Sequence, residues 1–230
     1  MIEWVTGSII KLGAQVIPDW STERLHMVET QLRKRGISDK RVLAAMAEVP
    51  REEFVSPDMR LLAYRDDPVL LDYGQTVSQP YMTALMAELL QLTGQETVLE
   101  VGAGSGYAAA VLGVLAARVV AVEIIPGLAR QARANLHRTG RDRNIAVVEG
   151  DGSLGYAQEA PYPAISVAAA APDIPSALQR QLADPGRLVI PVGSRADQEL
   201  RVVTKEHGRI DYRVATLCRF VPLRGGEGWH

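Results

Sequence analysis

The sequence predicts an α/β fold: a doubly wound, mostly parallel sheet with helices on both faces, preceded by N-terminal helices and finished by an antiparallel hairpin. Three observations lead there. Between residues 73 and 192, short β-branched runs alternate with single helical stretches, and strands joined by single helices make parallel sheets covered on both faces. Before residue 72 the texture is helical, and after residue 199 the helices disappear. The 230 residues are 47% hydrophobic and 23% charged, which suits one globular domain with a small addition.

Each element has a local reason. Ile2, Val5, Ile9, Leu12 and Val16 step by three and four, one face of a helix, until Pro18 stops the pattern. Gly7 and Gly13 weaken that helix, so it needs a surface to pack on: the protein's own body, or alternatively a second copy or a membrane surface. A second helix starts at Ser21 and ends at Gly36. Ser38 or Asp39 caps a third, closed by Pro50. Residues 51–69 contain Pro57 and Pro68 and read as loop with short turns. A helix over 80–92 leads to a buried strand at 97–101, a glycine-rich turn at 102–106, a helix over 107–117 and a strand at 118–123. Pro126 opens a helix reaching Gly140, in a position proline favours. Strands follow at 145–148 and 164–168, then a helix over 174–183 and a strand at 187–192. Residues 200–204, a turn at Gly208 and residues 212–221 form the hairpin. The expected organisation is an extension over residues 1–20 and one domain over 21–230. That domain has a helical part to 78, an α/β core over 79–193 and antiparallel strands over 194–230.

Composition excludes several functions. A net charge of -2, from 25 basic and 27 acidic residues, gives no footprint for nucleic acid. The single cysteine, Cys218, rules out an internal disulfide and an all-cysteine metal site; no metal is expected, and a reducing, cytoplasmic location is. The most apolar stretch, residues 108–125, is cut by Arg118 and does not read as a membrane span. The N-terminus lacks the basic start and unbroken apolar run of a signal peptide.

The chemistry is concentrated at Glu100-Val-Gly102-Ala-Gly104-Ser-Gly106, after a strand and at the mouth of a helix. Its third glycine comes one residue early for a dinucleotide turn, and no Gly-Lys-Ser/Thr follows, so it is neither that turn nor a phosphate loop. Glu123 ends the next strand about 20 residues on, where an acid meets ribose hydroxyls. Asp151, between two glycines after the third strand, is placed for an adenine edge. Ribose and adenine without a pyrophosphate point to an adenosine cofactor such as S-adenosylmethionine.

The chain also carries Val49-Pro-Arg-Glu-Glu-Phe-Val55, Tyr73-Gly-Gln-Thr-Val-Ser-Gln-Pro80, Gly150-Asp-Gly152, Gly186-Arg-Leu-Val-Ile-Pro-Val-Gly193 and Phe220-Val-Pro-Leu223. With these it resembles the protein-L-isoaspartate O-methyltransferases from about Ser21 onward. The resemblance implies methyl transfer from S-adenosylmethionine to the free carboxylate of an isoaspartyl residue in damaged peptides, with S-adenosylhomocysteine as product. The ester then closes to a succinimide. It places Ser78 at the active-site serine and Gly102, Gly104, Ser105 and Gly106 around the cofactor's methionine part, Glu100 counting among the cofactor residues. Glu123 falls on the ribose, and Asp151 with Gly152 by the adenine. Thr76, Val77, Val221, Pro222 and Leu223 fall on the substrate side, where a peptide would add to the strand end. No acid–base dyad is needed, because a carboxylic acid with a pKa near ~4 is already ionised at neutral pH. On local sequence alone Ser78 also reads as a helix cap before Pro80. Pro163, Ala168 and Tyr156 depart from the family's usual aspartate, threonine and tryptophan. Two further readings stand beside the first: methylation of a different peptide carboxylate, and a catalytically silent, cofactor-binding interaction module with the N-terminal helix as its contact; that helix could also serve self-association.

Overall fold

The computed structural model describes residues 18–229. The helix expected from Ile2 to Val16, and its contacts, lie outside the described residues. Helix α1 (Trp20–Met27) starts at Asp19, whose carboxylate accepts the Ser21 N–H at 3.1 Å. The chain continues through a π turn over Val28–Leu32 and a 3-10 turn over Arg33–Arg35 until Gly36, at φ +98, ends it. Of the two candidate caps for α2 (Lys40–Glu48), Asp39 is used; it accepts the Arg41 N–H at 2.7 Å. Residues 51–69 hold the expected short turns and, beyond expectation, the start of a ribbon. They hold 3-10 turns over Arg51–Phe54 and Pro57–Leu62, and then β1 (Val69–Leu70) pairs with β2 (Thr76–Val77) as a short antiparallel ribbon.

The core follows as α3 (Pro80–Leu90), β3 (Thr97–Val101), α4 (Tyr107–Leu115), β4 (Arg118–Glu123), α5 (Pro126–Arg138), β5 (Ile145–Glu149), β6 (Tyr162–Val167), α6 (Ser176–Gln181), β7 (Leu182–Gly193), β8 (Gln198–Glu206) and β9 (Arg209–Cys218). The sheet has seven strands in the order β5-β4-β3-β6-β7-β8-β9. Its first five strands are parallel; β8 and β9 are antiparallel. The predicted class is therefore the observed one. Exposed Pro163 sits at a register shift between β6 and β7, where a missing N–H breaks no ladder bond.

Several element bounds differ from expectation, two of them near the site. Helix α6 is shorter than 174–183, because Leu182 is already extended and opens β7. Strand β9 stops at Cys218, short of Val221. The Gln198 side chain accepts the Phe220 N–H at 2.7 Å and donates to the Phe220 carbonyl at 3.2 Å, which takes that residue off the ladder.

Strand alternation splits the core. Val98, Val119 and Ala164 face α2, α3 and α4, whereas Leu99, Val101, Val120 and Ile165 face Leu178 of α6 and Leu223. Phe54 anchors the first layer, fully buried and 5.7 Å edge-on from Tyr107. Phe54→Ala is expected to lower unfolding free energy by about 3–5 kcal/mol, read as a shift of the urea midpoint at unchanged slope. A shift too small for a cavity would mean that the layer refills it.

Candidate active site

The glycine-rich turn is built by main-chain conformation. Gly102, Gly104 and Gly106 sit at φ +89, +54 and +87, which side chains rarely adopt. At Gly106 a Cβ would also crowd the Ala132 carbonyl at 3.3 Å, so this glycine serves close packing of the turn on α5. The turn is pinned by Gly102 N–H to the Val122 carbonyl at 2.8 Å and by Asn135 Nδ2 to the Ser105 carbonyl at 3.0 Å. Asn135 was not expected. Its signal in the sequence is a polar residue beside Ala132 and Leu136 on the buried face of α5.

Glu123 ends β4 beside that turn and is 5% exposed. Its Oε2 accepts the Gly104 N–H at 2.8 Å, and its Oε1 accepts the Ile125 N–H at 3.0 Å. Each oxygen keeps a lone pair for a ligand in the cleft lined by Gly102, Gly104, Glu123, Gly152 and Val221, Pro222 and Leu223, with Thr76 from β2. A second cavity adjoins it through Thr76, Gly102, Gly104 and Ala168, and is lined also by Val77, Ser78, Ser105 and Tyr107. Gln75, Ile124 and Tyr107 are lining residues that the sequence did not point to.

Ser78 is half-buried, and its hydroxyl has no hydrogen-bond partner among the described residues. It is not the cap of α3: Gln79 takes the cap position, and no side chain bonds there. Ser78 thus offers a free donor to the second cavity.

Three expected residues are placed differently. Glu100 does not reach the cleft. Alternation along β3 turns it to the first core face beside Ser166, where it is fully buried and both carboxyl oxygens lack partners. Burial, with Glu123 adding repulsion, pushes its carboxyl well above the usual carboxylate range. Gly106 faces α5, as above. Asp151 lies beside the cleft but outside its lining. Its Oδ1 accepts the Ser153 N–H at 2.9 Å and the Ser153 hydroxyl at 2.6 Å, and its Oδ2 accepts the Gly226 N–H at 2.7 Å. It therefore moors the C-terminal segment.

That mooring shapes the substrate side. The Val221 carbonyl accepts the Ala170 N–H at 2.8 Å, the Leu223 N–H donates to the Ala170 carbonyl at 2.8 Å, and the Leu223 carbonyl accepts the Trp229 N–H at 2.7 Å. The segment is a lone bridge to Ala170 and not the end of a hairpin strand. Strand addition along its whole length is closed off. The Val221 N–H and the Pro222 carbonyl are left without partners among the described residues. Asp151→Ala is accordingly expected to raise the KM of a peptide substrate several-fold and lower the melting temperature, with a smaller loss of cofactor affinity than Glu123→Ala. A cofactor loss matching that of Glu123→Ala would put Asp151 at the adenine first and at the C-terminus second.

The donor set fits an adenosine group. Bare glycine backbone forms the turn, Glu123 presents two free lone pairs, and a Cβ at Gly152 would collide with Val101, so the floor stays open only as glycine. Among the described residues no cluster of side chains could hold a metal ion.

Comparison with known proteins identifies relatives over most of the chain. Residues 22–228 match the family model described as protein-L-isoaspartate(D-aspartate) O-methyltransferase. A protein-L-isoaspartate O-methyltransferase of Methanoregula boonei is 52% identical over 209 residues, covering 91% of this chain and 96% of that one. One from Marinobacter nauticus is 53% identical over 214 residues, covering 92% and 97%. A solved protein-L-isoaspartate O-methyltransferase superposes with a TM-score of 0.77 at 29% identity, over 90% of this chain and 66% of that longer one. A Plasmodium falciparum structure, described as such an enzyme in complex with S-adenosyl-L-homocysteine, gives a TM-score of 0.75 at 27% identity, over 87% of this chain and 98% of that one. This chain belongs to the protein-L-isoaspartate(D-aspartate) O-methyltransferase family.

Proposed function

We propose that this protein transfers a methyl group from S-adenosylmethionine to the free carboxylate of an L-isoaspartyl residue in damaged proteins or peptides, starting their repair through a succinimide. The observation that carries the reading is the unpartnered Ser78 hydroxyl, in a cavity joined to the glycine and Glu123 cleft. When bound, S-adenosylmethionine supplies the sulfonium methyl that a carboxylate oxygen takes up, sulfur keeping the bond's electron pair. Glu123 holds the ribose, Gly152 borders the purine edge while Asp151 behind it holds the C-terminal segment in place, and Gly102, Gly104 and Ser105 border the methionine part. Ser78 donates to one oxygen of the acceptor carboxylate and aims the other. Thr76 and Val77 flank it from β2. The Val221 N–H and Pro222 carbonyl take the peptide main chain, which suits a substrate whose side chains vary.

The chain's own residues need move no proton. The acceptor is ionised at neutral pH, and no described histidine lines either cavity. What remains is alignment and exclusion of water, and such positioning lowers a barrier by roughly 7–11 kcal/mol. The reading treats residues 21–230 as one domain and places the protein in the cytoplasm. In support of that location, Cys218 is the lone cysteine, which suits a reducing compartment. No described helix is long and apolar enough to cross a membrane.

The test is labelled methyl incorporation into the isoaspartyl and aspartyl forms of one peptide. Label in the isoaspartyl form alone is expected. Equal or preferential label in the aspartyl form would replace the reading with a dedicated aspartyl substrate; cofactor binding with no ester formed would make the protein a silent binding module.

A further inference from the structure

We infer that Arg51 is a positioning residue for the methyl transfer, fixing Ser78 in register with the turn that carries the cofactor; this rests on the Ser78 role proposed above. Arg51 stands in a charged stretch, Arg51-Glu-Glu53, yet it is fully buried. Its Nη2 donates to the Ser78 carbonyl at 2.8 Å, and its Nε donates to the Ala63 carbonyl at 2.7 Å. Its guanidinium carbon lies 4.7 Å from the centre of the Tyr107 ring. Tyr107 is the first residue of α4, directly after Gly106, and lines the same cavity as Ser78.

The Ser78 carbonyl accepts no other hydrogen bond among the described residues. One side chain therefore connects the acceptor loop to the cofactor turn. A buried cation is costly, and among the described residues Arg51 forms no ion pair with a carboxylate; neighbouring Glu52 pairs with Arg24 at 3.6 Å and bonds Tyr64. Two carbonyls and one aromatic face hold the charge instead. A guanidinium suits this because its planar fork reaches diverging acceptors while its face stacks on a ring; an ammonium does one of these at a time. In-line transfer demands such a link, since an error near 1 Å between acceptor oxygen and methyl carbon costs about 10²-fold in rate.

A plain core cross-link would hold the same contacts, and a double-mutant cycle separates the two. Turnover, peptide KM and S-adenosylhomocysteine affinity are measured for Arg51→Lys, Ser78→Ala and the double variant. Arg51→Lys is expected to lower kcat roughly 10-fold with Ser78 present and less than about 2-fold in the Ser78→Ala background, with cofactor affinity within about 2-fold throughout. The same loss in both backgrounds, or affinity falling in step with kcat, overturns the inference and leaves Arg51 a structural residue. Unchanged turnover in Ser78→Ala alone instead removes the Ser78 role on which it rests. If the lysine variant does not fold, Arg51→Gln goes through the same cycle, since its amide keeps a donor for one of the two carbonyls without burying a charge.

Discussion

Ser78→Ala is expected to lower kcat about 10²-fold, with S-adenosylhomocysteine affinity changed by less than about 2-fold. The split follows from where the hydroxyl sits. It opens on the cavity lined by Val77, Ser105 and Tyr107, while the cleft beside Glu123 does not include Ser78 among its lining residues. Removing the hydroxyl takes away one donor to the acceptor carboxylate and touches none of the groups proposed for ribose or purine. The carboxylate still enters and is still charged, so peptide KM moves less than kcat. What it loses is direction: either oxygen can turn from the methyl carbon, and fewer encounters are in line. Among the described residues Ser78 bonds no side chain or main-chain group through its hydroxyl, so the alanine variant should keep its melting temperature within a degree or two. Steady-state kinetics on an isoaspartyl peptide, with calorimetric titration of the cofactor product, reads both halves. Full turnover would take Ser78 out of the mechanism; a parallel fall in cofactor affinity would move it to the donor side.

The sequence made some of this site visible and hid the rest for physical reasons. Gly102, Gly104 and Glu123 could be read because their requirement is local: a backbone at positive φ, and an acid at the next strand end. Asp39 could be read as a cap for the same reason. Ser78 is different. Its neighbours Val77 and Gln79 say little about chemistry, and local rules alone also allowed a cap, a position the structure gives to Gln79. Asp151 looked like a cleft residue, yet it binds Gly226, 75 positions later, and no short-range pattern encodes that partner. The β1 and β2 strands are two residues each, too short to show alternation. Arg51 was hidden most deeply. A charge beside two glutamates reads as solvated surface, and only the packing of Ala63, Ser78 and Tyr107 around it makes it interior.

Glu123→Ala is expected to weaken cofactor affinity by about 10²-fold or more, since each hydrogen bond to a charged group contributes about 1.5–3 kcal/mol and the carboxylate has a free lone pair on each oxygen for the two ribose hydroxyls. The variant also loses the partners of the Gly104 and Ile125 N–H groups, so the turn loosens where the methionine part would lie. Glu123→Gln separates these effects. The amide keeps the shape, but it has one acceptor oxygen for two main-chain donors and turns its NH₂ toward the other. It should therefore lose affinity almost as fully while the fold stays intact. Turnover at saturating cofactor should fall far less than in Ser78→Ala, because the acceptor side is untouched. Thermal shift gives an independent reading. A ligand at 100 times its dissociation constant stabilises the native state by about 2.7 kcal/mol, so a 10²-fold weaker site at the same concentration keeps only about 0.4 kcal/mol. A Glu123→Ala protein stabilised by S-adenosylhomocysteine as strongly as the native one would show that the sugar is held elsewhere, and the cleft between the glycine turn and Glu123 would lose its claim to the donor.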